Sequence, residues 1–83
     1  MRRSDSAMAR KVADEMVILD VASGHYFGLN DVGAVIWERM DAECTREDLI
    51  DVVVASFDVD RQRAGADIDD LLTDLADRGL VTL

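Results

Sequence analysis

The spacing of apolar residues in the first third of the chain predicts a small antiparallel sheet. Residues 16–21 alternate with a period of two, which is typical of a half-buried strand. The apolar residues on one face of this strand are Val17, Leu19 and Val21. Gly24 belongs to a tight turn, because glycine adopts positive φ at little steric cost, and residues 25–29 return from it as a short aromatic strand. Residues 7–13 alternate more loosely and predict a further strand, which pairs with residues 16–21 across a turn at Asp14-Glu15.

Apolar residues at helical spacing predict two helices after this sheet. The first begins at a cap formed by Asn30 or Asp31, since a short side-chain acceptor satisfies the free N–H groups of the first turn. This helix extends to Met40. The second helix begins at Thr45 and ends near Phe57. Thr45 and Asp48, three residues later, together resemble a capping box.

A third helix is predicted between Asp60, a cap residue, and Gly79, because the αL conformation of the residue after a helix suits glycine. Its apolar stripe consists of Ala64, Ile68, Leu71, Leu72, Leu75 and Ala76. Residues 80–83 either add a last short strand or pack against the core. The order of elements predicts an α+β fold, with a three-stranded antiparallel sheet plus three helices in a winged helix-turn-helix-like arrangement.

Length and composition indicate one globular domain that spans residues 1–83, in which residues 1–6 are expected to be a frayed, flexible terminus. The chain is 49% hydrophobic and 33% charged, which is too apolar for a disordered tail. No apolar run approaches the roughly 18 residues of a membrane span, and no apolar segment of a signal peptide follows the basic start. A single cysteine excludes an internal disulfide, and we expect a cytoplasmic protein.

The net charge of −9 restricts the class of partner. Nucleic-acid binding requires a basic surface, whereas the predicted third helix carries Asp67, Asp69, Asp70, Asp74 and Asp77. We therefore expect neither nucleic acid nor an anionic membrane as a partner. Asp67, Asp70, Asp74 and Asp77 share one helix face, which either binds a cation or a basic peptide or is simply solvated. A neutral or cationic peptide is compatible with the charge, and solubility alone is the alternative explanation.

Motifs of catalysis and cofactor binding are missing from the sequence. His25 and Cys44 are the only residues of their types and lie in different segments, so they indicate neither a nucleophilic pair nor a zinc site. There is no Gly-rich phosphate loop and no EF-hand pattern. We therefore predict no enzymatic activity, no cofactor and no metal. Trp37 lies on the apolar side of the first predicted helix and is interpreted as a structural core residue.

An ordered series of motifs in the strand, turn, strand and helix segment resembles the PqqD-like family. The matching positions are Leu19-Asp20, Gly24, Tyr26-Phe27, Leu29-Asn30, Gly33-Ala34 and Trp37. The threonine-capped second helix, Phe57-Asp58-Val59 and the run Arg78-Gly79-Leu80-Val81 fit the same family. The resemblance covers roughly residues 7–83.

The resemblance implies a variant of the winged helix-turn-helix fold that recognises the leader segment of a ribosomally synthesised precursor peptide. Members present the leader to a modifying enzyme such as a radical SAM protein, a leader protease or a cyclase. The resemblance also implies that the leader adds as a strand to the third strand, beside the last helix. The run Tyr26–Asn30 is more similar to lasso-peptide and general members than to the quinone chaperones.

The open edge of residues 25–29 is the predicted binding site, because an extended peptide can pair its backbone with an unpaired strand. The candidate peptide-binding residues are His25, Tyr26, Phe27, Gly28, Leu29, Asp67, Asp70, Leu71, Asp74 and Leu75. Leu71 and Leu75 are expected to divide their surface between the core and an apolar anchor of the leader. Tyr26 and Phe27 face opposite sides of a strand, so one can join the core while the other lines a groove. The alternative functions are a winged-helix transcription regulator and a small enzyme.

Overall fold

The computed structural model describes residues 1–83 as five strands and three helices. In chain order these are β1 (Arg2–Arg3), β2 (Ala7–Val12), β3 (Glu15–Asp20), β4 (His25–Leu29), α1 (Asp31–Arg39), α2 (Arg46–Ser56), α3 (Arg61–Asp77) and β5 (Val81–Thr82). The predicted α+β fold, with a three-stranded antiparallel sheet and three helices, is confirmed. None of the three helices combines the length and the apolar character that crossing a membrane requires.

The main sheet has the strand order β2-β3-β4, so that β3 is central and β4 forms an edge, as the sequence predicts. Gly24 has a φ of 75° in the turn before β4, in agreement with its predicted role. The turn between β2 and β3 differs from the prediction by one residue. Glu15 is the first residue of β3, and Ala13 takes the positive φ of the turn, 57°.

The residues of β3 on the inner face of the sheet alternate with Val17, Leu19 and Val21, the apolar residues that the sequence pattern places on one face. Met16 and Ile18 of β3 are buried and pair with Leu29 and Phe27 of β4. Val17, which alternates with them, lies on the opposite face and is only half-buried. The helices cover one face of the sheet, and the strand register directs the side chain of Ile18 in β3 toward them.

The helix boundaries follow the cap residues closely. The side chain of Asn30 accepts a hydrogen bond from the backbone N–H of the first turn of α1, and Asp60 does the same for α3. Thr45 and Asp48 form a reciprocal capping box at α2. Gly79, with a φ of 73°, follows α3 in the conformation predicted for it.

One core of 17 buried residues joins the inner face of the sheet to all three helices. Trp37 is its largest fully buried side chain, with 1% of its surface exposed. Gly33 allows α1 to approach β4 closely, because a Cβ atom at this position would lie 3.1 Å from Leu29 Cδ2. The junction between β4 and α1, which forms part of the site described below, is therefore tightly packed.

The amino-terminal segment differs from the expectation of a frayed terminus. Arg2–Arg3 pairs antiparallel with Val81–Thr82 and forms a second, two-stranded sheet. Arg3 also donates a hydrogen bond from Nε to the carbonyl oxygen of Met40 over 3.0 Å. Its guanidinium lies 5.5 Å from the centroid of the Trp37 ring. These pairings are made by residues distant in the sequence, which no local pattern indicates.

Candidate functional site

An open groove of about 550 Å³ separates the edge strand β4 from helix α3. Its strand wall consists of Phe27, Gly28 and Leu29, and its floor of α1 residues Val32, Gly33 and Ile36. The helix wall is formed by Arg63, Asp67, Asp70, Leu71 and Asp74. Because β4 pairs only with β3, the backbone groups on its outer edge face this groove without a strand partner.

Phe27 occupies the centre of the strand wall. Its ring is half-buried, packs against the hydrophobic core and also lines the groove. Leu29 is buried, so that it offers the groove its backbone and little of its side chain. Gly28 pairs with Val17, and no atom lies within 4 Å of the place where a Cβ of Gly28 would lie, so this part of the outer face is open.

Three residues of the predicted site do not line this groove: His25, Tyr26 and Leu75. Tyr26 is 70% exposed on the outer face of the sheet, opposite to Phe27, and neither ring is fully in the core. His25 and Tyr26 line a smaller recess of about 170 Å³ at the amino-terminal end of β4. Phe27 lines both spaces, and Arg78 forms the far side of the recess. The recess and the groove therefore adjoin at Phe27, the one residue that lines both.

The prediction that Leu75 contributes to the site is wrong. Its side chain has 0% of its surface exposed and belongs to the core, so it has no surface to share with a ligand. Leu71, one turn earlier, is half-buried and does line the groove. Four residues advance a helix by about 40° beyond a full turn, which is enough to separate a boundary position from a core position.

The carboxylates of α3 differ in their pairing. Asp67 Oδ1 lies 3.1 Å from Arg63 Nε, within the helix. Asp69 lies outside the groove and is bound by Arg46, with 2.8 Å between Oδ1 and Nε, and this hydrogen bond lowers the pKa of Asp69. The side chains of Asp70 and Asp74 form no ion pair or hydrogen bond, although both line the groove.

Sequence reasoning missed two arginines: Arg63 at one end of the helix wall, and Arg78, the residue that caps the carboxyl end of α3 and lines the recess. Arg63 and Arg78 continue the three- and four-residue spacing of Asp67, Asp70 and Asp74 along α3. That spacing, which places residues on one helix face, was the available signal. The α1 floor was also missed, because it depends on how α1 packs beneath β4.

Comparisons with known proteins were made for the whole chain. The family model described as coenzyme PQQ synthesis protein D (PqqD) matches residues 15–81. A solved structure described as TbiB1 in complex with the TbiA(beta) leader peptide is 35% identical, with a TM-score of 0.88, covering 96% of this chain and 93% of that chain. A lasso peptide synthetase B1 complexed with the leader peptide is 29% identical, with a TM-score of 0.84, covering 99% of this chain and 96% of that chain. None of the curated proteins compared with the chain matches it. Because the family model spans most of the sequence, the chain belongs to the PqqD family.

Proposed function

We propose that this protein binds the leader segment of a ribosomally synthesised precursor peptide and presents it to a modifying enzyme or protease. The leader adds as a strand to the open edge of β4. The observation that carries the proposal is the unpaired edge of β4 beside a groove. The two similar structures, each described as a leader-peptide complex, support the same class of ligand.

The charges of the two sheet edges favour β4 over β2 as the binding edge. β2 carries Arg10 and Lys11, and the Lys11 Nζ lies 3.4 Å from Glu38 Oε1. Charged residues, lysine above all, are a common means of blocking unwanted strand pairing at an edge. β4, with the sequence HYFGL, has no Lys, Arg, Asp or Glu. Its edge is therefore free for an incoming strand.

The groove can supply a useful affinity by backbone pairing and apolar contact together. Roughly four to six backbone hydrogen bonds, at about 0.5–1.5 kcal/mol net each, would offset much of the cost of ordering an extended peptide. Phe27 and Leu71 are both half-buried and offer apolar surface on opposite walls of the groove. One or two apolar leader residues seated between them would bring the affinity to the micromolar range, which corresponds to about −8 kcal/mol.

The same geometry supports a role in recognition without catalysis. The groove contains carboxylates and one arginine, but it has no nucleophile paired with a general base. A winged-helix transcription regulator is the weaker candidate, because the exposed face of α3 is acidic. The proposed partners are the precursor leader and a radical SAM protein, leader protease or cyclase, with lasso-peptide biosynthesis the favoured pathway. Since precursors of this kind are made on ribosomes, we place the encounter in the cytoplasm.

A proline scan of β4 tests the proposed edge. In an antiparallel ladder, N–H groups of successive residues alternate between the partner strand and the free edge. Of Tyr26→Pro and Phe27→Pro, one therefore removes a donor to β3 and the other a donor to the groove. Binding is measured by titration calorimetry with synthetic leaders of the short open reading frames beside the gene, and with the TbiA(beta) leader for comparison.

The expected result is that the variant that retains the wild-type melting temperature loses leader binding. Lys11→Pro on β2 serves as the matched control, because it changes the other edge of the same sheet. A folded β4 variant that binds the leader with wild-type affinity would contradict strand addition at this edge. Binding that is lost only in the β2 variant would move the site to the opposite edge.

A further inference from the structure

One stripe of charged residues on α3 and its C-cap residue follows the full length of the proposed peptide site. Arg63, Asp67, Asp70 and Asp74 line the groove, and Arg78 lines the recess at the His25 end of β4. Their spacing of three and four residues keeps all of them on one face of the helix. A peptide that adds to β4 would therefore lie between the strand and this stripe.

The unpaired charges of this stripe have opposite signs at different positions. Arg63 and Asp67 neutralise one another, whereas Asp70 and Asp74 have no cationic partner. Arg78 likewise forms no ion pair and no side-chain hydrogen bond. Its guanidinium carbon lies 4.5 Å from the centroid of the Phe27 ring. The site thus has an unpaired negative centre and an unpaired positive end.

The contact between Arg78 and Phe27 holds the positive charge in a defined place. A guanidinium that stacks on an aromatic face gains cation–π energy while its N–H groups at the rim stay free to donate. Because Phe27 lines both the groove and the recess, Arg78 lies beside the end of the groove at which a peptide would leave it. A carboxylate of that peptide could accept two of these N–H groups at once.

We propose that the groove selects leaders by the order of their charges, with a basic side chain facing Asp70 or Asp74 and an acidic side chain facing Arg78. This proposal rests on the proposed function, and it names Arg78 as a specificity-determining residue. A helix rises by about 1.5 Å per residue, so Arg78 lies about 6 Å beyond Asp74 and about 12 Å beyond Asp70 along its axis. A strand rises by about 3.3 Å per residue, so these distances correspond to about two and about four peptide residues.

The spacing and the direction together define a sequence pattern. Residues two or four apart on a strand point to the same side, so the basic and the acidic side chain can both face α3. The recess lies at the His25 end of β4. A strand added antiparallel to β4 would have its carboxyl end there, as in the rest of this antiparallel sheet. The basic residue therefore precedes the acidic residue in the leader.

Selection from a display library of random peptides of about ten residues, long enough to span the groove, tests this pattern. The library is panned against the wild-type chain, against Arg78→Glu, and against the double variant Asp70→Lys and Asp74→Lys. Two control variants make single substitutions of the same kinds away from the groove: Arg10→Glu on β2 and Asp58→Lys between α2 and α3. Circular dichroism melting of every variant shows that it is folded.

Peptides selected by the wild-type chain are expected to be enriched in Lys or Arg two or four residues before Asp or Glu. Arg78→Glu should remove the preference for the acidic residue and favour a basic one in its place, whereas the controls should keep the wild-type pattern. In titrations of single selected peptides, each charge should change the affinity by up to about five-fold, as expected for exposed pairs.

The outcomes separate this proposal from leader binding itself. Selected peptides that require the free edge of β4, but whose charge order is random or unchanged in Arg78→Glu, would overturn the charge-order proposal and leave strand addition intact. If no selected peptide depends on the β4 edge, strand addition is refuted and the charge-order proposal with it.

Discussion

Two leucines on one face of α3 offer a direct test of where the core ends and the groove begins. Leu75 is fully buried, whereas Leu71, one turn earlier, is half-buried and lines the groove. We predict that Leu75→Ala reduces stability with little direct effect on the binding surface. We predict the reverse for Leu71→Ala, which should reduce leader affinity at a small cost in stability. The two variants remove the same atoms, so each is the control for the other.

The magnitudes follow from the burial of the two side chains. Truncation of a fully buried leucine typically costs about 2–5 kcal/mol, from the lost transfer energy and the cavity left behind. For a domain of this size, each kcal/mol lowers the melting temperature by about 4–8 °C. Leu75→Ala should therefore lower it by at least about 8 °C. Leu71 can lose only part of this energy, since complete burial of a leucine contributes about 1.5–3 kcal/mol and part of its side chain is already exposed to water.

The assay combines urea unfolding of both variants with leader titration under conditions in which both are folded. Leu75→Ala should shift the urea midpoint strongly and bind the leader with near wild-type affinity. Leu71→Ala should retain most of its stability and lose affinity by roughly ten-fold, which corresponds to about 1.4 kcal/mol of apolar contact. If Leu71→Ala destabilised the chain as much as Leu75→Ala and left affinity unchanged, Leu71 would be a core residue and not part of the groove wall.

Three further predictions concern the core, the acidic wall and a helix cap. Trp37→Ala should cost about 3–5 kcal/mol of unfolding free energy, because the ring is fully buried; lower leader affinity with an unchanged melting temperature would make Trp37 a contact residue. Changing Asp67, Asp70 and Asp74 together to Asn should weaken the salt dependence of the rate of leader association. Exposed charges steer association more than they add affinity. Identical salt dependence in stopped-flow measurements would leave them as a solvated helix face. The hydrogen bond from the backbone N–H of Thr45 lowers the pKa of Asp48 in the folded chain. The capping box therefore stabilises the folded chain fully at a pH above the pKa that Asp48 has in the unfolded chain. This stabilisation is lost as the pH falls through the lower pKa that Asp48 has in the folded chain. Below about pH 3.8, the ordinary pKa of an aspartate, acid-induced unfolding of Asp48→Asn should therefore be less steep than that of the wild type; equal steepness would contradict the linkage.

The helix boundaries and the edge position of β4 were accessible from the sequence because they depend on neighbouring residues. The capping box of Thr45 and Asp48, the caps at Asn30 and Asp60, and the glycine after α3 are all interactions within a few residues. The edge position of β4 also followed, since the chain enters helices directly after it and offers no later strand of comparable length. The aromatic strand and the acidic helix were therefore correctly expected as the main components of the fold.

The assignment of side chains to faces could be decided only by packing. Val17 and Ile18 are both apolar and β-branched, so the sequence alone does not say which of them faces the helices; the register with Phe27 puts Ile18 inside. The pairing of Arg2–Arg3 with β5 joins the two ends of the chain, and no local pattern can encode so distant a contact.

The sequence by itself therefore determined the elements, their caps, the acidic character of α3 and the resemblance to leader-binding proteins. Tertiary structure decided which surface of each element is available: it buried Leu75, turned Tyr26 to the outer face, and brought Arg78 onto the ring of Phe27. The physical reason is that caps and turns are fixed by hydrogen bonds over three or four residues. A groove, in contrast, is the space left when two rigid elements pack at a particular rotation, and a rotation of about 40° on α3 is enough to move a side chain from the core to the site.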